Sequence, residues 1–282
     1  MTTALSQQKQ LDTVLSKIPT KKLTTIEDVA QLIAEQEYNP YLDRYRSSCL
    51  YRGLPNASYS LLTTLQRNCK DKQKTIENSV LRNFAKYAAS EDPQINESVW
   101  RQMVIGQHHG LPTRLLDWSY SPLVALHFAT SGEDFGKMED HDCVVWKIDI
   151  EEIHSLLPKR YQQSLAKEGA YLFTVDMLGE LTEDLNNYDS DMGDRSMVLL
   201  EPPSIDQRII NQYSYFSVTP SDISCMEEFL ATYTTKTIRY VISKELRWQV
   251  RDMLDKVNIN ERTMYPGLDG LTAWLKRHYY VK

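Results

Sequence analysis

The stretch that most restricts the fold of this chain runs over residues 107–130, QHHGLPTRLLDWSYSPLVALHFAT. Gly110 and Pro112 end any helix that precedes them, because glycine weakens a helix and proline lacks the backbone N–H. The alternating run TRLLDWS predicts a strand, and the serine–proline pair at 121–122 is typical of a helix N-cap and first turn. We therefore expect a strand that leads directly into a helix, with Asp117 beside the helix N-terminus.

The rest of the sequence mixes strand and helix patterns without regular alternation. A short apolar run ends at Gly53, and residues 142–149 alternate in a way that predicts a strand. Residues 24–37 carry apolar side chains at helical spacing, with Thr24 or Thr25 as the cap. We predict an α+β fold with a mixed or antiparallel sheet core and several helical insertions. Further strands are expected at 196–201 and 236–243, and further helices at 75–90, 97–107, from Ser221, at 244–257 and at 269–279.

The chain is long for one domain, but domains of roughly 200–250 residues with short extensions are common. We expect an N-terminal helical extension over residues 1–47 and one domain over residues 48–282. Within that domain, a helical insert is expected at about 70–105 and an acidic insert at about 151–195. The Asp- and Asn-rich residues 178–195 are predicted to form a flexible loop.

Composition restricts the partners of the chain. The formal net charge of -6 argues against a uniformly basic nucleic-acid binder, and no Asp and Glu cluster of the two-metal nuclease type is visible. No apolar stretch approaches the roughly 18–20 residues of a membrane span, so a cytoplasmic location is expected. The four cysteines are widely spaced, which predicts reduced thiols instead of disulfides or a zinc site.

Arg52 is the first candidate for ligand binding. Its planar guanidinium can donate two parallel hydrogen bonds to a phosphate or a carboxylate, and Gly53 would let a ligand approach the backbone. An ion pair with a carboxylate such as Asp117 is the structural alternative.

Three polar residues of the restricted stretch are further candidates. His108 would act as a base or a hydrogen-bond donor near neutral pH, or it would satisfy a backbone carbonyl in the core. Arg114 and Asp117 lie in an apolar run where an unpaired charge is costly, so each needs a ligand or a salt-bridge partner. No carboxylate stands at helical metal-ligand spacing from His108 or His109, so no metal is predicted.

Several motifs resemble those of the FRG domain family. Residues 51–53, YRG, resemble the F/Y-R-G signature, and residues 107–119 resemble the central motif Q-H-x-G-x-P-T-R-L-L-D-W-S/T. Residues 208–216 and 265–271 resemble the later segments R-I-x-x-Q-x-G-x-F and P-x-L-D-G-L. Ser214 replaces a usual Gly, which indicates a turn that needs no positive φ or is locally altered. The resemblance implies a bacterial effector, such as a toxin or a phage-defence protein.

The order of these motifs is also similar to that of ADP-ribosyltransferases. Those enzymes present a strand arginine and then a Ser-Thr-Ser strand, followed by a helix with an A-x-x-F-A pattern. The similarity implies that Arg52 holds the phosphate or ribose of NAD and that Ser119 orients the nicotinamide ribose. NAD would then be a substrate, and the partners would be a nucleotide or ADP-ribose-containing ligand and an unidentified macromolecular acceptor.

Such a reaction also needs a carboxylate near the ribose. In ADP-ribosyltransferases a third motif supplies Glu shortly before a Phe-containing strand, whereas alignment on Phe216 places Gln207, Arg208 or Gln212 there. Because glutamine carries no negative charge, Glu201 or Asp206 would substitute only if the loop folds back. Their alternative roles are a strand-end surface acid for Glu201 and a helix cap for Asp206.

Two functions are therefore expected: an NAD-using ADP-ribosyltransferase-like enzyme, or a noncatalytic nucleotide- or partner-binding module. The catalytic candidates are His108, Asp117 and Glu201, and the ligand-binding candidates are Arg52, Gly53, Arg114, Ser119, Arg208 and Gln212.

Overall fold

The computed structural model describes residues 10–132 and 134–282, and a seven-stranded sheet forms its centre. The strand order is β1-β9-β6-β4-β5-β8-β7, with β1 and β9 parallel and the other neighbours antiparallel. Helices surround this mixed sheet, which confirms the predicted α+β class. The strands are β1 (Thr20–Leu23), β4 (Cys49–Leu54), β5 (Leu115–Ser119), β6 (Cys143–Asp149), β7 (Val198–Leu200), β8 (Ser214–Val218) and β9 (Ile238–Ile242), and a separate hairpin pairs β2 (Tyr38–Asn39) with β3 (Arg44–Tyr45).

The named α-helices lie between the strands and, for the last three, after the final strand. They are α1 (Ile26–Ala34), α2 (Thr64–Cys69), α3 (Gln73–Ala88), α4 (Val99–His108), α5 (Pro122–Thr130), α6 (Ile150–Ser155), α7 (Lys159–Glu168), α8 (Val175–Leu181), α9 (Leu185–Met192), α10 (Gln207–Asn211), α11 (Met226–Tyr233), α12 (Arg247–Lys256), α13 (Glu261–Met264) and α14 (Leu268–His278). Within the described ranges, no helix is both long enough and apolar enough to cross a bilayer.

The central strand β6 explains why helices cover both faces of the sheet. All seven of its residues are buried, although a strand with one wet face would alternate. Val144 and Trp146 pack in one hydrophobic cluster, whereas Val145 packs in another cluster with Ala125 of α5. The sheet therefore separates two cores, and its interior strands contact solvent little.

The sheet parts between β4 and β5. These strands share a single paired position, Tyr51 with Ser119, whereas β4 and β6 share six pairs and β5 and β8 share five. Beyond that pair the strands diverge, and β5 turns into α5 as the sequence predicts. The divergence leaves a cleft beside the Arg52 strand.

Gly53 is required by the packing of α5 on β4. A Cβ atom at this position would lie 1.9 Å from the carbonyl oxygen of Ala125 and 2.5 Å from the backbone nitrogen of Ala129. Real side chains do not approach backbone atoms so closely, so a larger residue would force the helix off the strand. The glycine lets helix backbone, not only a ligand, approach the strand.

The acidic segment 178–195 differs from the predicted loop. It contains the end of α8 and the whole of α9, and Asp184 caps α9 by accepting hydrogen bonds from the backbone of the first turn. Tyr188 and Asp189 of α9 are buried. The flexible-loop prediction is wrong because several of these polar residues cap or pair inside the fold instead of facing solvent.

Two other boundaries differ from expectation. The helix predicted from Ser221 begins at Met226. The N-terminal segment expected to be a helical extension also supplies β1, which pairs in register with β9 at the sheet edge.

Candidate functional site

The cleft between β4 and β5 has a volume of about 180 Å³ and collects six of the nine candidate residues. Its walls come from β4, from β5 with α5, and from the segment that precedes β8. The sequence candidates that line it are Arg52, Gly53, Asp117, Ser119, Arg208 and Gln212, and the other lining residues are Tyr51, Trp118, Ala125, Phe128 and Ser214.

Arg52 lies on the wall of the cleft with few partners. One terminal nitrogen, Nη1, donates to the backbone carbonyl of Asp117 and lies 3.5 Å from its Oδ2. The Nε atom is buried and has no hydrogen-bond partner. Burial lowers the pKa of the Arg52 guanidinium, although the charge of Asp117 opposes that change. The side chain is therefore a desolvated cation whose donors are only partly used.

Asp117 is the carboxylate that lines the cleft. Its side chain is 55% exposed although its neighbours on β5 are buried. Gln107 Nε2 donates to both carboxylate oxygens, at 3.2 and 3.1 Å. The predicted ion pair with Arg52 is present at 3.5 Å, so the structural alternative and the ligand-site interpretation involve the same two residues.

Ser119 and Gln212 use their side chains to hold backbone segments together. The Ser119 hydroxyl donates to the Gln212 carbonyl at 2.8 Å and accepts from the N–H of Ser121 at 3.1 Å. Gln212 Nε2 donates to the carbonyl of Met264 at 2.9 Å. These bonds join β5, the loop before β8 and the end of α13, so both residues set the shape of the cleft.

The turn before β8 explains how Ser214 replaces the usual glycine. Ser214 already belongs to the strand, and Tyr213 carries the left-handed conformation with φ 45°. Non-glycine residues occupy that region at some cost. The positive φ thus falls on Tyr213, and Ser214 itself needs none.

Arg208 adds a second cation to the cleft. Its guanidinium lies 5.2 Å from the ring centre of Tyr265, a cation–π contact that orients the side chain. It forms no ion pair with any carboxylate in the described part of the chain. Tyr265 belongs to the closing P-x-L-D-G-L segment, so that motif supports the cleft from behind Arg208.

His108 lies next to the cleft, not in its lining. Its Nε2 is 2.6 Å from Oδ2 of Asp206, the residue that caps α10. Burial raises the pKa of Asp206, but the backbone N–H of Ile209 and the contact with His108 outweigh it and lower the pKa. The pair connects α4 to α10. Arg208 lies on the first turn of α10, so the pair helps to fix the position of Arg208.

Arg114 is placed away from the cleft. Its Nε donates to Glu77 at 2.9 and 3.0 Å, and its terminal nitrogens bind Asp189. Burial opposes the charge, but the hydrogen bonds and charge of these carboxylates raise the pKa of Arg114 above its ordinary value. All three side chains are almost fully buried, so the geometry gives Arg114 the salt-bridge role that the sequence left open.

Glu201 lines a different groove. That groove has a volume of about 800 Å³ and runs between the start of α4 and α8. It carries further carboxylates, Asp176 and Glu180 among them, and none of the basic candidates. The loop after β7 therefore does not fold back to bring Glu201 to Arg52.

Sequence reasoning missed Gln107, Phe128 and Tyr265. Gln107 directly precedes His108 in the central motif, and its position on the last turn of α4 places it over Asp117. Phe128 lies on α5 in the A-x-x-F-A pattern and lines the cleft. The sequence motifs contain Gln107 and Phe128, but only the folded chain shows which neighbours these two residues contact.

A family model for the FRG domain matches residues 47–137. That match includes Arg52, Gln107, Asp117 and Ser119, and it ends before the Arg208 segment. No curated protein and no solved structure matches the chain. Residues 47–137, which supply β4, β5 and the helix that closes on them, therefore match the FRG domain family.

Proposed function

We propose that the cleft between β4 and β5 binds NAD and that the chain transfers ADP-ribose from it to an acceptor. The observation that carries the proposal is the convergence of three separated segments on one cleft. Arg52, Ser119 and the Arg208–Gln212 segment stand where the motif similarity assigns the arginine, the serine strand and the third motif. Their meeting supports a shared ligand.

Charge and size favour a pyrophosphate ligand with a ring bound inside. Arg52 and Arg208 supply two cations, and guanidinium groups bind phosphate oxygens through paired hydrogen bonds. The cleft volume of about 180 Å³ is below the usual range for whole drug-sized ligands, roughly 300–1,000 Å³. It suits a ring-sized group such as nicotinamide with part of its ribose, while the remaining nucleotide extends past the mouth.

Asp117 replaces the expected glutamate in this proposal. The bond between ribose C1′ and the nicotinamide nitrogen breaks, and nicotinamide leaves with the bonding electron pair. The ribose then carries developing positive charge, which a nearby carboxylate stabilises. An acceptor nucleophile bonds to C1′, and its proton passes to Asp117 or to water.

A noncatalytic nucleotide-binding module is the second candidate, and one observation favours it. Asp117 already accepts two hydrogen bonds from Gln107 and lies near Arg52, so its charge is partly neutralised. Glu201, the alternative acid, lines another groove. Such a module would bind NAD or ADP-ribose and leave the glycosidic bond intact.

Calorimetric titration with NAD and with ADP-ribose, together with measurement of nicotinamide release, tests both candidates. Arg52→Gln removes a charged donor worth about 1.5–3 kcal/mol, so Kd should rise by about 10- to 100-fold. Asp117→Asn should keep binding within a few-fold and lower nicotinamide release. Arg82→Gln and Asp252→Asn alter exposed charges outside the cleft and should change neither quantity.

The outcomes separate the candidates. Binding with release that depends on Asp117 supports the transferase, and binding without any release supports the module. No binding of NAD or ADP-ribose to the unaltered chain would overturn both.

A further inference from the structure

We infer that Thr113 and Gln107 are positioning residues that fix the orientation of the Asp117 carboxylate. The catalytic role of these residues rests on the proposed function, whereas the hydrogen-bond geometry does not depend on it. The side chains of Thr113, Gln107 and Asp117 form a continuous hydrogen-bonded series. It runs from the buried Thr113, just before β5, to the cleft.

Thr113 determines the first bond of the series. Its hydroxyl oxygen accepts from the backbone N–H of Leu115 at 3.2 Å and lies 2.6 Å from Oε1 of Gln107. The backbone N–H can only donate, so the one hydroxyl proton stays free, and it is donated to Oε1 of Gln107. Thr113 has no exposed surface, so water does not compete for this bond.

The hydroxyl proton fixes the amide of Gln107. With Oε1 bound to Thr113, Nε2 must face Asp117, where it donates to Oδ1 at 3.2 Å and Oδ2 at 3.1 Å. The opposite amide orientation would place Oε1 against a carboxylate, and two acceptors would then repel each other. The network therefore permits one orientation of the amide.

The amide in turn restrains an otherwise free carboxylate. The Asp117 side chain is 55% exposed, and an exposed aspartate samples several rotamers. Gln107 binds both oxygens, and Arg52 lies 3.5 Å from Oδ2. These contacts hold the carboxylate in the lining of the cleft before any ligand binds, which is the preorganisation that charge stabilisation requires.

The test in the ligand-free chain is the NMR signal of the Gln107 side-chain amide. The chemical shifts of its Nε2 protons should differ between the unaltered chain and the Asp117→Asn variant. Thr113→Val should shift them comparably and abolish most of the further response to Asp117→Asn, whereas Thr113→Ser should restore the original spectrum. Unchanged Gln107 signals in folded Thr113→Val would overturn the inference, whatever the chain does with NAD.

The functional test separates positioning from binding. If the loss of orientation is equivalent to one hydrogen bond, nicotinamide release in Thr113→Val should fall about tenfold at saturating NAD, with Kd within about twofold. Thr113→Ser should recover the rate. An equal loss in both variants, or a loss explained by a lower melting temperature, would contradict a positioning role.

Gln107→Glu gives an independent readout. It places a second carboxylate against Asp117, and two adjacent carboxylates retain a shared proton to higher pH. The pH profile of nicotinamide release should therefore move to higher pH, while Gln107→Leu should lower the rate without moving the profile as far. Identical profiles in both variants would contradict the inference. If the NMR test succeeds but the unaltered chain releases no nicotinamide, the proposed transferase fails and the positioning network stands.

Discussion

Replacement of Arg114 by methionine should destabilise the fold more than any change in the cleft. The substitution leaves Glu77 and Asp189, which are 2% and 3% exposed, without their cation. Breaking a buried ion pair costs about 3–5 kcal/mol, and two orphaned carboxylates place this site near the upper end. For a chain of this size, about 5 kcal/mol corresponds to a melting temperature lower by roughly 8–10 °C.

Urea unfolding at neutral pH measures this loss, provided that the slope of the transition stays constant. Arg101→Met is the matched control, because Arg101 also binds a carboxylate, Asp92, but in a partly exposed pair. Such pairs contribute about 0–1 kcal/mol.

A compensating variant tests the cause directly. Adding Glu77→Gln and Asp189→Asn to Arg114→Met removes both buried charges, so more than half of the lost stability should return. A loss below about 1 kcal/mol in the single variant, or no recovery in the triple variant, would refute the buried-charge explanation. Under the proposed function, the folded single variant should bind NAD as the unaltered chain does, because Arg114 does not line the cleft.

Two further perturbations probe packing and protonation. Gly53→Ala should destabilise the chain by at least about 1–3 kcal/mol in urea unfolding, because the new Cβ overlaps the backbone of Ala125. Gly179 is the control, because it lies in a helix with open space around it, and Gly179→Ala should be neutral or stabilising. Equal effects of the two variants would contradict the packing argument. Burial lowers the pKa of His154 to about 4, and its Nε2 accepts a hydrogen bond from the N–H of Leu199. Its contribution to the free energy of unfolding is therefore complete above pH 6.5. It is lost as the pH falls towards 4, at about 1.4 kcal/mol per pH unit. In His154→Gln, this part of the pH dependence should disappear; an unchanged slope between pH 6.5 and 4 would show that other groups cause it.

The local part of the fold could be predicted from sequence because its signals are local. Gly110, Pro112 and the Ser121-Pro122 pair determine where α4 ends and α5 begins, and the structure places these boundaries accordingly. The strand predicted over residues 142–149 likewise matches the position of β6, although all residues of β6 are buried and none faces solvent. The ends of these helices and strands depend on the residue types within a few positions, and a single sequence shows those directly.

The fate of charged residues could not be predicted in the same way. Asp189 lies in a segment with the composition of a solvated loop, yet it binds Arg114, 75 residues away in sequence. Asp117 lies in the middle of β5 and Glu201 directly follows β7, and only the folded arrangement of these strands assigns the two acids to different grooves. Which partner neutralises a charge is a property of the three-dimensional arrangement, and one sequence does not contain that distance information.

The network around Arg114 also bears on how this chain can be divided for expression. Residues 47–137 match the family, but β4 finds its long pairing partner in β6, and β5 finds its own in β8. Asp189, which neutralises Arg114, also lies outside that range. A fragment limited to the matched residues would expose two unpaired strand edges and leave Arg114 with Glu77 as the only one of its two carboxylates. Autonomous folding therefore requires a fragment that extends at least through β8.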